Sequence, residues 1–234
     1  MKRSTHLLPD LLSFFFPHLC LVCESNAPPA KDSICSHCRA DLPETDHHLT
    51  VDNPFAERFW GRVPVESAAA LLLFTRGGKV RRLLHRLKYK GEKEIGWILG
   101  RELGWKLLSS PLFSGVELVV PVPLHPKKER ARGYNQSAVF GAGVAEAMGI
   151  RQVADGLQRT THGLSQTRKT KEARIASLDG QFQVQREALL RGRHILLVDD
   201  VMTTGATLEV CTECLSALPG TRVSLATIAM TSQT

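Results

Sequence analysis

The stretch HILLVDDVMTTGATLEVC, residues 194–211, decides the fold. Ile195, Leu196, Leu197 and Val198 form a continuous apolar run, the pattern of a strand buried on both faces of a parallel sheet. From Leu208 the pattern changes, with Leu208, Cys211, Leu215 and Leu218 recurring at helical spacing until Pro219 and Gly220 end it. The stretch reads as strand, loop and helix. A strand buried on both faces needs helices on both sides, so the fold class is α/β, a parallel sheet flanked by helices.

Ligands of open α/β sheets bind just beyond the carboxyl ends of the strands, where Asp199 and Asp200 are expected. The turn that follows, Thr203, Thr204, Gly205, Ala206 and Thr207, combines a glycine that permits close backbone approach with hydroxyl donors and the amides of a helix N-terminus. That turn suits an anion. The aspartates suit the opposite, hydroxyls that donate, because an ionised carboxylate only accepts hydrogen bonds. A sugar phosphate offers both ends. The alternative is an acidic strand end followed by an ordinary capped helix. A P-loop is disfavoured, since no Gly-x-x-x-x-Gly-Lys-Ser/Thr occurs.

Four apolar residues, two acids and a Thr-Thr-Gly-Ala-Thr turn resemble the phosphoribosyl pyrophosphate (PRPP) signature of type I phosphoribosyltransferases. The resemblance implies that Asp199 and Asp200 hold the ribose hydroxyls and that Thr203–Thr207 wraps the 5-phosphate.

The 234 residues suffice for one α/β domain with a small appendage, and 43% hydrophobic content suits a globular protein. A formal charge of +7 favours anionic partners without choosing between a small phosphate and a nucleic acid backbone. Lys2, Arg3 and the leucines and phenylalanines up to Phe16 raise the question of a signal peptide. Pro9 and Asp10 interrupt that run, and no small-residue cleavage site follows before the cysteines. A short amphipathic helix, a cytoplasmic location and no membrane insertion are expected.

Cys20, Cys23, Cys35 and Cys38 have C-x2-C-x11-C-x2-C spacing, close to that of tetrathiolate zinc knuckles, with disulfides the alternative in a secreted protein. With Asn26, Pro28 and Pro29 between the pairs, the segment reads as turns that need a metal to fold. The zinc is expected to be structural, because four thiolates leave no open position. Cys211 and Cys214 fall inside a predicted helix and read as core thiols.

Residues 1–60 are assigned to the four-cysteine module and its linker, and 61–234 to the phosphoribosyltransferase-like domain. In the linker, Asp46, His47, His48 and Asn53-Pro54 read as a solvated loop. The run Val65–Phe74 predicts a strand entering a turn at Arg76-Gly77-Gly78. Helices are expected over Lys79–Lys88 and Glu94–Leu108, with Phe74–Leu108 forming a small hood. In Glu117–Ser137 a strand through Val120 leads into a proline-stiffened basic loop bearing Lys127, Lys128, Arg130 and Arg132, then a helix over Ser137–Met148. A basic loop at the end of a parallel strand suits a departing pyrophosphate, although a merely solvated loop has the same composition.

Together with the four cysteines and the PRPP signature, LKYKGEKEIG from Leu87, PVPLHPKKERARGYNQ from Pro121 and SQTRKTKEAR from Ser165 resemble the ComF family of competence-associated phosphoribosyltransferase-like proteins. Ser177 stands where members of that family often have asparagine. The resemblance implies displacement of pyrophosphate from PRPP with Mg2+ by an acceptor the sequence does not identify, with Lys127, Arg130 and Arg132 over the leaving group. It also implies a link to DNA uptake and natural competence. The rival is a non-catalytic module that senses PRPP or binds single-stranded nucleic acid, with DNA or the competence machinery as its partner. Positive charge favours it, whereas 6% aromatic content offers few stacking platforms.

Overall fold

The computed structural model describes residues 19–25, 34–75, 78–160 and 181–232. The N-terminal leucine-rich segment, the Asn26–Pro29 turn, Arg76-Gly77, the SQTRKTKEAR motif and Ser177 lie outside them. In chain order the described elements are α1 (Ser36–Ala40), β1 (Ala68–Phe74), α2 (Lys79–Tyr89), α3 (Lys93–Leu108), β2 (Leu118–Pro121), α4 (Pro126–Arg132) and α5 (Gln136–Met148). There follow β3 (Arg151–Gln152), β4 (Leu157–Arg159), β5 (Phe182–Val184), α6 (Glu187–Leu190), β6 (His194–Met202), α7 (Ala206–Ser216) and β7 (Arg222–Thr231).

Five strands form one parallel sheet in the order β1-β7-β6-β2-β3, and β4 and β5 pair as an antiparallel hairpin. The apolar run at 195–198 lies near the middle, paired to Val223–Ala226 of β7 and to Leu118–Pro121 of β2. Period-2 alternation then splits it between two cores. Leu196 and Val198 pack with α2, α3 and α5, while Ile195 and Leu197 pack with α7, Phe55 and Phe59. Helices therefore cover both faces, as a doubly buried strand requires.

Three expectations need correction. The segment from Phe74 to Leu108 is not a separate hood. Leu83, Leu87, Ile95, Leu99 and Leu103 are buried in the core beneath the sheet, because apolar residues at helical spacing on both helices seek that surface. The linker is not solvated at its histidines or at Asn53. His47, His48 and Asn53 are buried. The Asn53 amide donates to the carbonyls of His47, Thr50 and Ala68, and its oxygen accepts from the Phe55 and Ala56 N–H groups. One side chain thus supplies the polar partners that let this segment cross the β1 side of the sheet. Burial also holds both histidines below the ordinary imidazole range. Finally, the basic stretch 127–132 is helix α4 rather than loop: His125 caps the Lys127 N–H, Pro126 occupies the first turn, and Gly133 at φ 82° ends it.

Candidate functional site

β6 continues through Met202, so Asp199 and Asp200 sit within the last part of the strand rather than beyond its end. Neighbouring residues of a strand face opposite ways, and this separates the pair. Asp199 is half-buried and lines a small cavity of about 40 Å3 together with Thr203, Thr204, Gly205, Ala206 and Thr207. Asp200 is 5% exposed and turns toward α2, where the Lys88 ammonium lies 2.8 Å from its Oδ2. Ser137, at the start of α5, donates its hydroxyl to Asp199 Oδ1 at 2.7 Å, and the Asp200 N–H donates to the same oxygen. Burial first, then the neighbouring Asp200 charge, push the Asp199 carboxyl up to about 7 against the Ser137 bond.

The turn after β6 is held from behind. Gly205 adopts φ 85°, a conformation that favours glycine, and a Cβ there would lie a tight 3.1 Å from the Phe59 ring. Arg58 donates to the carbonyls of Thr203 and Thr231, and Arg62 pairs with Glu209 on α7. Thr204 Oγ1 accepts from the Ala206 N–H, leaving the open side of the turn lined by amides and hydroxyls. This surface can seat a phosphate.

On the other side of Asp200, Lys88, Tyr89, Gly91, Lys128, Ala131 and Arg132 enclose a recess of about 330 Å3. Lys128 and Arg132 share one face of α4 at i, i+4 spacing. Of the basic residues singled out from sequence, Lys128 and Arg132 reach this recess, whereas Lys127 and Arg130 are exposed and do not line it. Tyr134 fixes the geometry: its hydroxyl donates to the Leu87 carbonyl, and the next residue, Asn135, caps α5 through its side chain. The segment Gly133–Ser137 thereby ties the end of α4, the last turn of α2 and Asp199 together.

The four cysteine sulfurs lie within 4.8 Å of one another. Sγ of Cys23 and Cys35 are 3.8 Å apart, matching the ~3.8 Å edge of a tetrahedron with zinc–sulfur bonds of ~2.3 Å. The Val22 and Cys35 N–H groups point at Cys20 Sγ, and the Cys38 N–H at Cys35 Sγ, donors that favour thiolates. The Ser25 hydroxyl and backbone lower Cys23 to about 6, whereas burial pushes Cys38 up to about 12. A zinc ion fits this donor set and would hold all four as thiolates. Cys211 and Cys214 are buried in α7 among core side chains, and burial raises both thiols.

Residues 135–234 match the family described as phosphoribosyl transferase domain. The DNA utilization protein YhgH of Escherichia coli O6:H1 is 28% identical over 193 residues, covering 81% of this chain and 80% of that protein. The competence protein ComFC of Bacillus subtilis is 26% identical over 209 residues, covering 84% and 77% respectively. The chain is similar to ComF-family proteins and carries a phosphoribosyltransferase-like domain. Among solved structures, the chain is similar to an allosteric regulatory enzyme of purine biosynthesis, at 19% identity and a TM-score of 0.39. That match covers 59% of this chain and spans about a quarter (25%) of that enzyme.

Several residues that shape the candidate site were not singled out from sequence: Lys88, Ser137, Arg58 and Phe59. Ser137 carried a weak signal as the residue opening α5 after an asparagine cap. Lys88 carried none, being one cation among several on α2. Among the described residues, no helix is long and apolar enough to cross a membrane.

Proposed function

We propose that this protein binds PRPP at the carboxyl edge of β6 and displaces its pyrophosphate from the anomeric carbon with an acceptor nucleophile. The observation that carries this reading is the common cavity of Asp199 and the Thr203–Thr207 turn, a hydrogen-bond acceptor for a ribose hydroxyl beside donors for a phosphate. Asp199 accepts from one ribose hydroxyl, its other contacts fixing its orientation, and Asp200 supports the positive charge that grows on the ring as pyrophosphate departs. Lys128 and Arg132 balance the leaving group. Among the described residues neither carboxylate belongs to a cluster of metal-ligating side chains, so Mg2+ would be held mainly by the ligand's own phosphate oxygens. When bound, Mg2+ supplies charge neutralisation at the pyrophosphate.

Incubation with PRPP, Mg2+ and pooled nucleobases and amines tests transfer. Acceptor-dependent pyrophosphate release is expected; tight PRPP binding with no release for any acceptor would instead identify a sensor. The resemblance to competence proteins supports a role in handling incoming DNA.

A second reading, single-stranded nucleic acid binding, is favoured by one surface. Arg81, Arg82, His85 and Lys90 line a groove of about 510 Å3 next to Cys23, and Tyr89 stands 68% exposed against His85 at the same helix end. Cations with an aromatic platform suit a single strand. Oligonucleotide affinity falling steeply with salt supports this reading, and a flat response removes it.

A further inference from the structure

We propose that Lys88 reads the pyrophosphate of the sugar ligand, releasing Asp200 as it does so; the proposal rests on the PRPP reading above. In the free protein the Lys88 ammonium lies 2.8 Å from Asp200 Oδ2, and no hydrogen bond among the described residues reaches that oxygen. Asp200 is buried, so its carboxylate cannot be left without a partner except at high cost. A ribose hydroxyl can take the place of the ammonium there only if Lys88 has somewhere to go.

The recess beside it provides that place. Lys88 lines it with Lys128 and Arg132, and no acidic side chain takes part in the lining. Arg132 donates to the neutral side chain of Gln136 and lies 5.6 Å from the Tyr89 ring centroid, so neither contact cancels its charge. Three cations facing one recess suit a group with several negative oxygens, such as a diphosphate. The α2 backbone need not move, because the Leu87 carbonyl is held by Tyr134, and a four-carbon stem lets the ammonium swing from the fixed Cα.

The exchange couples the two halves of the ligand. Ribose 5-phosphate alone must displace Lys88 from Asp200 without giving it a new partner, whereas PRPP supplies both. Lys88 therefore acts as a specificity residue for ribose ligands that carry the pyrophosphate.

The test compares PRPP with ribose 5-phosphate, each with Mg2+, by titration calorimetry on wild type, Lys88→Met and Lys88→Arg. PRPP affinity is expected to fall at least tenfold in Lys88→Met and to recover partly in Lys88→Arg, with ribose 5-phosphate affinity unchanged or higher in Lys88→Met. Should Lys88→Met fail to fold, reductive methylation of wild type followed by mass spectrometry gives the same answer. PRPP should protect Lys88, and ribose 5-phosphate should leave it as reactive as in the free protein, or more so. Equal PRPP affinity in wild type and Lys88→Met, or equal protection by the two ligands, overturns the proposal while leaving PRPP binding intact. Absence of PRPP binding to wild type overturns both.

Discussion

At the residue scale, Asp199 carries the largest tension in the site. Its carboxyl is pushed up to about 7, far above the ordinary value near 3.8, so ionisation is disfavoured in the folded state. Between about pH 4 and pH 7 the unfolded chain is ionised there while the folded protein keeps its proton, so this group's contribution to stability falls as pH rises through that window. Asp199→Asn removes the penalty and retains an oxygen for the Ser137 and Asp200 donors. At pH 8 we expect the variant to gain on the order of 1 kcal/mol, or about 2–4 °C in Tm, with the gain vanishing near pH 4. PRPP affinity of wild type should rise with pH through about 7, which calorimetry at constant ionic strength reads directly. The turn makes a second residue-scale prediction. Gly205→Ala forces a side chain into a left-handed conformation against Phe59, and a loss of about 1–2 kcal/mol in denaturant unfolding is expected. No loss would mean that the turn is not held as described.

At the element scale, the crossing of α3 and α5 sets where Ser137 begins. A Cβ on Gly143 would collide with the Trp97 carbonyl oxygen, and one on Gly100 with that of Phe140, so the two backbones touch directly. Gly143→Ala should cost about 1–3 kcal/mol by overpacking, seen as a lower chemical denaturation midpoint with an unchanged m value. The elements themselves were largely legible: the strands at 68–74 and 118–121, the first part of β6 and helices α2, α3 and α5 follow from apolar spacing. The misreadings share a cause. Composition made 127–132 look like loop, but proline and a capping histidine at its start and glycine at its end are helix boundaries. His47, His48 and Asn53 looked solvated because polarity was equated with exposure, whereas one asparagine satisfies five backbone groups there. The acid pair was legible as a candidate site, but its division between two faces follows from how far β6 continues, and the Lys88 contact depends on long-range packing that no local pattern encodes.

At the scale of the whole molecule, the cysteine module is docked rather than tethered. Arg39 pairs with Glu102 of α3 at 2.9 Å, Lys79 of α2 lies 2.6 Å from Asp41, and Arg86 of α2 donates to the Leu21 carbonyl at 2.7 Å. Cys20, Cys38, Leu21 and Ile34 join the same core as α2 and α3. Loss of metal should therefore be felt at α2, the helix that carries Lys88. Purified protein should hold about one equivalent of zinc, and removal by chelator should lower both Tm and PRPP affinity. A metal-free protein of undiminished stability would refute the zinc assignment. The central claim is that the carboxyl edge of β6 is a PRPP site. Its most direct test is calorimetric titration of PRPP with Mg2+ into wild type and into the double variant Asp199→Asn, Asp200→Asn. Saturable binding to wild type and a loss of at least a hundredfold in the double variant are expected; equal affinity in both would contradict the account.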